Sequence, residues 1–206
     1  MTQHHHSATN ATPNNHSGLT MIELLITLVI LSIGLLGMAA MQLTGMRSTN
    51  SATYRTQATI FANDIAERMR ANISAVDNNL FMAVDSAVNI DCTTLPSPYC
   101  GEFFNASNAV TSASSCNPTQ MAAYDINVWF CGVSSVGNRA GGVIGTLPVA
   151  TTTITCIDTN PPLGADTDAC TNRSPHTITV SWSESNPAQG GTAATVVQNV
   201  RMTIQP

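Results

Sequence analysis

The sequence predicts an α+β protein: one long N-terminal helix, apolar in its first half, packed through its second half on an antiparallel sheet of about four strands. Three observations predict it. The run Leu24–Met46 carries no charged side chain. The helical pattern then continues, with Ala58, Phe61, Ala62, Ile65 and Met69 recurring at three-to-four spacing. Beyond residue 122 the chain turns to runs of β-branched and aromatic residues separated by turn formers.

The uncharged run is about 23 residues, enough to cross a bilayer core of about 30 Å as a helix. A cleaved secretory signal is a poor match, since the run is too long, no basic residue precedes it and no break follows it. On the polar side of the continuing helix, Asp64 with Arg68 and Glu67 with Arg70 sit at ion-pair spacing. Gly34 and Gly37 interrupt the apolar half, either as a soft point, each costing about 1 kcal/mol relative to Ala, or as a close-packing face. The helix is expected to end near Asn72.

From Ile73 to about Ala122 the chain is rich in Asn, Ser, Thr and Pro and reads as an irregular connection with one short helix near Leu80. Four strands are expected after it: "YDINVWFCG" from Tyr124, "VATTTITCI" from Val149, "HTITVSW" from His176 and "ATVVQNVRMTI" from Ala194. "SESNPAQGGT" supplies a turn between the last two. Trp129 and Trp182 fall in these strands and read as core residues.

Composition excludes several functions. Only 9% of the 206 residues are charged, the basic ones all arginine, and the net charge is −5, so no basic block exists to grip nucleic acid. No nucleophile–base arrangement, phosphate-cradling loop or catalytic carboxylate pair is discernible, so no enzymatic activity and no cofactor are expected. His4, His5, His6 and His16 lie in a short polar stretch with no fixed geometry. Asp158, Asp166 and Asp168 lack the order of a calcium-binding loop, so no metal site is assigned.

Six cysteines, Cys92, Cys100, Cys116, Cys131, Cys156 and Cys170, all follow the helix. An even count after a membrane segment, with no Cys-x-x-Cys pair, reads as disulfides formed in an oxidising compartment. Sequential pairing, Cys92–Cys100, Cys116–Cys131 and Cys156–Cys170, closes the shortest loops and is the expectation, with other connectivities open.

One carboxylate, Glu23, stands at the start of the apolar run. Thr20-x-x-Glu23 has the spacing of a capping box, and an acid is favoured in a first helical turn. Capping does not explain a glycine five positions upstream. Gly18, then Glu23, then a long apolar run resembles the processing signature of type IV prepilins. Within that family, "ILSIGLLGMAAMQL" followed by "RTQATIFANDIAERMRAN" is most similar to minor pilins of the PilV type. The resemblance implies a type IV pilin-like fold, cleavage by prepilin peptidase after Gly18 and methylation of the new amine on Leu19, where the family more commonly has phenylalanine. It implies that Glu23 pairs with the N-terminal amine of an adjacent subunit and so sets register and assembly.

The domains expected are a leader over 1–18, the long helix over 19–72 with its transmembrane segment at about 24–46, and a disulfide-containing head over 73–206. The leader has no Lys or Arg while Arg47, Arg55, Arg68 and Arg70 follow the run, which by the positive-inside rule alone would leave the head in the cytoplasm. The cysteines and the motif place it in the periplasm instead. The function implied is a minor pilin, held in the bacterial inner membrane and then in the pilus fibre, supporting twitching motility, adhesion or DNA uptake. Its partners would be other minor and major pilins, prepilin peptidase, the inner-membrane assembly platform and the membrane itself. A type II secretion pseudopilin is the first alternative, and a membrane-anchored periplasmic binding protein or enzyme the second.

Overall fold

In a computed structural model of the chain, the residues described are 18, 20–82, 84–86, 90–105, 107, 109–133, 141–156, 170, 174–186 and 194–206. Two compact units divide the chain, Met1–Ser48 and Thr49–Pro206. Helix α1, Met21–Ala71, begins in the first and ends in the second.

Within the second unit, the expected stripe on α1 is the buried one. Ala58, Ala62, Ile65 and Met69 are fully buried, Ala66 joins them, and Phe61 and Tyr54 pack at the margin. Complete burial of side chains such as Ile65 and Met69 contributes about 1.5–3 kcal/mol each. Asp64–Arg68 and Glu67–Arg70 form the expected ion pairs, at 3.2 and 2.5 Å.

The sheet has four antiparallel strands in the order β1 (Val84–Asp85), β4 (Thr151–Cys156), β5 (His176–Asn186) and β6 (Ala194–Ile204). Three of these match the expected strands. Their alternation sets the faces: Ile154, Ile178, Val180, Trp182 and Ile204 point into the core that also holds the α1 stripe. Thr153, Thr179 and Arg201 lie in one row on the other face. A separate pair, β2 (Phe103–Phe104) and β3 (Val110–Thr111), forms a small hairpin.

The expected strand at Tyr124–Gly132 is instead the end of a helix, α3 (Pro118–Cys131). Its start is fixed chemically. The Asn117 side chain accepts from Gln120 N–H, the Gln120 side chain accepts from Asn117 N–H, and Pro118 sits where a missing N–H costs nothing. Gly132, at φ 82°, closes it and donates its N–H to Val128. Tertiary packing then outweighs the β preference of its aromatic and branched residues: Ala122, Trp129 and Phe130 are buried in the core, and Trp129 donates Nε1–H to the Phe61 carbonyl of α1 at 2.8 Å. The short helix α4 (Gly142–Thr146) starts against the same end. Gly142 has φ 65°, and a Cβ there would strike the backbone of Phe130, Cys131 and Gly132.

The stretch read as irregular therefore holds more structure than expected. The short helix α2 (Ile73–Asp77) stops before Leu80, and β1 supplies the fourth strand of the sheet.

Disulfides join Cys92 to Cys131, Cys100 to Cys116 and Cys156 to Cys170, with Cα separations of 5.4, 5.7 and 6.2 Å. The expected pairs Cys92–Cys100 and Cys116–Cys131 are thus replaced by a nested arrangement, and α3 is the reason. Cys116 precedes the helix and Cys131 ends it, so a rise of about 1.5 Å per residue holds them about 20 Å apart, far beyond disulfide reach. The same helix carries Asn127 to the Asp91 carbonyl, at 2.8 Å, which sets Cys131 beside Cys92.

One buried group makes this unit pH-dependent. His176, 1% exposed, pairs through Nδ1 with the Ser174 carbonyl at 2.8 Å, while Nε2 has no hydrogen-bond partner among the described residues. The ring is therefore the neutral tautomer with its proton on Nδ1. Burial lowers its pKa, opposed only by the Ser174 carbonyl. With a folded value below the unfolded one, the unfolded chain binds more protons under about pH 6.5. Stability is complete above that pH and is lost as pH falls toward the lower folded value. The urea midpoint is expected to drop between pH 7.5 and 5, and His176→Phe is expected to flatten that dependence. An equal slope in the variant would remove His176 as its source.

Candidate functional site: the N-terminal segment of the long helix

In the first unit, α1 starts where the Thr20 carbonyl accepts the N–H groups of Glu23 and Leu24, at 3.0 and 3.2 Å. From there every residue to Asn50 is exposed. The exposed side chains are large and apolar: Leu36 is 71% exposed, and Ile22, Leu25, Ile30 and Ile33 are similarly open. A continuous apolar surface of this extent is far larger than soluble monomers leave in water. Its few hydroxyls are turned inward, Thr27 donating to the Leu24 carbonyl, Ser32 to Leu28 and Thr44 to Ala40. Such back-bonding removes the polar groups that an apolar surround would not solvate. By length and composition this is a helix able to cross a membrane, with mean hydropathy reaching 2.5.

Gly18 is exposed, and a Cβ built on it would meet no atom within 4 Å. The fold therefore does not explain the glycine. Glu23 is exposed in the first turn, where the helix dipole favours an acid. Among the described residues its carboxylate has no ion pair and no side-chain hydrogen bond, so the reciprocal capping contact to Thr20 that the spacing allows is not made. Leu19 lies outside the described residues, as do His4, His5, His6, His16, Asp158, Asp166 and Asp168. Among the described residues no cluster of three His, Cys, Asp or Glu side chains is placed to hold a metal ion.

Several features of the second unit were not visible in the sequence. Arg68 reaches past Asp64 to Asp125 on α3, Nη1 to Oδ1 at 2.7 Å. Burial presses the Arg68 guanidinium down, but hydrogen bonds to Asp125 and Asp64, and their charges, hold it above its ordinary value. Burial also lifts the Asp125 carboxyl, and Arg68 draws it back only in part. These partners are 57 residues apart, so no spacing rule reveals them. A cleft of about 460 Å³ is lined by Leu80 and Met82, by Ile90 and Pro96, and by Ala123 and Ile126 of α3.

Two family models match the chain. Residues 13–39, which contain Gly18 and Glu23, match the prokaryotic N-terminal methylation motif. Residues 40–127, from the middle of α1 nearly to the end of α3, match the type IV pilin Tt1218 model. No curated protein and no solved structure matches the chain. Type IV pilins are structural rather than enzymatic proteins. The motif, and the one helix among the described residues that is long and apolar enough to cross a membrane, fit a membrane-anchored pilin; a pilin with this motif would contact other pilins and prepilin peptidase. The chain thus joins a long helix packed on a four-stranded antiparallel sheet, a type IV pilin-like α+β fold, to a match with the N-terminal methylation motif over residues 13–39 and with a type IV pilin model over residues 40–127.

Proposed function

We propose that the chain is a minor pilin that joins or primes a type IV pilus through helix–helix packing with other pilins. The observation that carries this reading is the apolar surface of α1 from Met21 to Met46, which its own chain leaves uncovered. Lipid covers it before assembly and neighbouring helices cover it in the fibre. The leader over 1–18 is removed by prepilin peptidase after Gly18, and Leu19 becomes the methylated N-terminus. The three disulfides support a periplasmic head, since cytosolic thiols are kept reduced. The PilV-like helix end, Asp64 to Arg70, supports assignment among minor pilins rather than pseudopilins of type II secretion.

Glu23 supplies the register. A carboxylate in the apolar layer costs a few kcal/mol at the bilayer centre, less near its edge, and that cost is relieved by a cation. The amine of a neighbouring Leu19 is such a cation. When the two align, both charges are neutralised at one axial offset, and any other offset leaves each of them unpaired.

Processing is tested at the glycine. Because nothing in the fold opposes a side chain at Gly18, Gly18→Val should insert normally yet persist as full-length precursor. A methylated Leu19 terminus found by mass spectrometry on that variant would contradict the processing role.

Assembly is tested at the acid. Glu23→Gln should be processed and inserted like the wild type, but should recover partner pilins poorly and reduce surface pili. Glu23→Asp, with its charge kept and its reach shortened, should be intermediate. Normal piliation in Glu23→Gln would reduce Glu23 to a local helix-start residue, and loss of exoprotein secretion with intact pili would favour the pseudopilin reading.

A further inference from the structure

The cysteines of the second unit do not pair in the order in which they occur. Cys100–Cys116 lies inside Cys92–Cys131, so neither bridge joins consecutive cysteines, whereas Cys156–Cys170 does. In an unfolded chain the nearest pair closes first. Cys92 and Cys100 stand eight residues apart, against separations of 16 for Cys100–Cys116 and 39 for Cys92–Cys131, and loop-closure entropy favours the shortest loop by about threefold and about tenfold over these two. Emergence strengthens the bias. In a head carried across the membrane N-terminal part first, at roughly 5–20 residues per second, Cys92 and Cys100 meet the oxidant about 2–6 seconds ahead of Cys131.

The native fold acts too late to prevent the wrong pair. Cys131 becomes the neighbour of Cys92 only when α3 is complete and docked, with Asn127 donating to the Asp91 carbonyl and Trp129 to the Phe61 carbonyl. Once Cys92–Cys100 has closed, Cys116 and Cys131 are the next consecutive pair. Their bridge holds two Cα atoms within about 7 Å, while a complete α3 holds the same two about 20 Å apart, so the misbridged chain cannot form α3. With Cys156–Cys170 also closed, all six cysteines are paired and none is free to start an exchange. Exchange requires a thiolate, which must then come from another molecule. Cys131 is 1% exposed in the finished fold, so that molecule acts before α3 docks.

We propose that this chain is a substrate of a thiol–disulfide isomerase, a protein with an accessible cysteine of lowered pKa, which converts Cys92–Cys100 and Cys116–Cys131 into the nested pairs. The inference rests on the periplasmic reading of the head. A disulfide-bearing oxidant makes the first bridges, taking two electrons and two protons from each thiol pair and being reduced to a dithiol. The isomerase thiolate then attacks Cys100 Sγ: the Cys92–Cys100 bond breaks, a mixed disulfide to Cys100 forms, and Cys92 leaves as a thiolate. Cys92 attacks Cys131 Sγ, forming Cys92–Cys131 and releasing the Cys116 thiolate, which frees α3 to form. Cys116 attacks Cys100 Sγ, forming Cys100–Cys116 and returning the isomerase thiolate. Two disulfides and one thiolate enter and two disulfides and one thiolate leave, so the exchange consumes no oxidant.

The test expresses the full-length chain in bacteria that keep their periplasmic disulfide oxidase, with and without the isomerase, blocks free thiols with N-ethylmaleimide and maps the bridges by mass spectrometry. Without the isomerase, the fraction of recovered chain with Cys92–Cys131 should fall by about tenfold and a Cys92–Cys100 bridge should appear, while the fraction with Cys156–Cys170 holds. Cys100→Ala with Cys116→Ala leaves four cysteines whose native pairs are consecutive, and Cys92→Ala with Cys131→Ala does the same. Each double variant should form its remaining bridges equally in both strains. An isomerase whose second active-site cysteine is replaced by alanine should be recovered in a mixed disulfide with the wild-type chain, a readout that needs neither variant to fold. Full yield of the native bridges without the isomerase, undiminished dependence in the double variants, or no mixed disulfide with the wild type would overturn the inference and leave the fibre reading intact. Six alkylated thiols in both strains would overturn it together with the periplasmic reading.

Discussion

The structure depends on one imbalance: α1 has a face its own chain covers and a length its own chain does not. From Ala58 to Met69 the helix is satisfied by the core of its own unit. From Met21 to Met46 the large apolar side chains stand exposed, no described residue covering them, and the hydroxyls of Thr27, Ser32 and Thr44 are folded back onto the helix. Free energy of roughly 25 cal/mol per Å² of exposed apolar surface is available to whatever covers it. In the proposed function, membrane insertion and helix–helix assembly would draw on the same term, so one segment would serve both states. The hydrophobic contribution is non-directional, however, and leaves axial position undetermined. In the proposed fibre, the carboxylate of Glu23, without a partner among the described residues, would add the direction that the apolar surface lacks.

The second unit solves a different problem, which is to anchor the far end of the helix with few charges. Alanines at 58, 62 and 66 keep that face of α1 small. Trp129 bonds the Phe61 carbonyl, and Arg68 joins Asp64 to Asp125 across two helices. The Cys92–Cys131 disulfide ties the chain at residue 92 to the end of α3, and the nested Cys100–Cys116 bridge closes a smaller loop within that span. The inner bridge closes the base of the β2–β3 hairpin.

What the sequence revealed was whatever is local and periodic. The α1 stripe, its two ion pairs and strands β4 to β6 recur at fixed spacing, and Gly18 and Glu23 stand in a short motif. What it hid was non-local. The segment Tyr124–Cys131 is dense in Ile, Val, Trp and Phe and reads as strand. Yet Asn117-Pro118 with Gln120, and Gly132 beyond, are start and stop signals for a helix that outweigh residue preference. Misreading that helix carried the disulfide error with it, because the helix alone separates Cys116 from Cys131. Strand β1 has two residues, too few for any alternation to be read. The Arg68–Asp125 pair and the cleft arise only once α3 is docked.

The central claim is that lipid surrounds the first half of α1 until assembly, and a tryptophan placed there reports it directly. The native residues Trp129 and Trp182, 1% and 0% exposed, lie in the core of the second unit and serve as internal references. In vesicles whose acyl chains carry bromine, the full-length wild type should keep its emission, while Leu36→Trp should add emission that the bromine quenches. Unquenched emission from the added tryptophan would mean that lipid does not cover this segment, and the account built on it would fail.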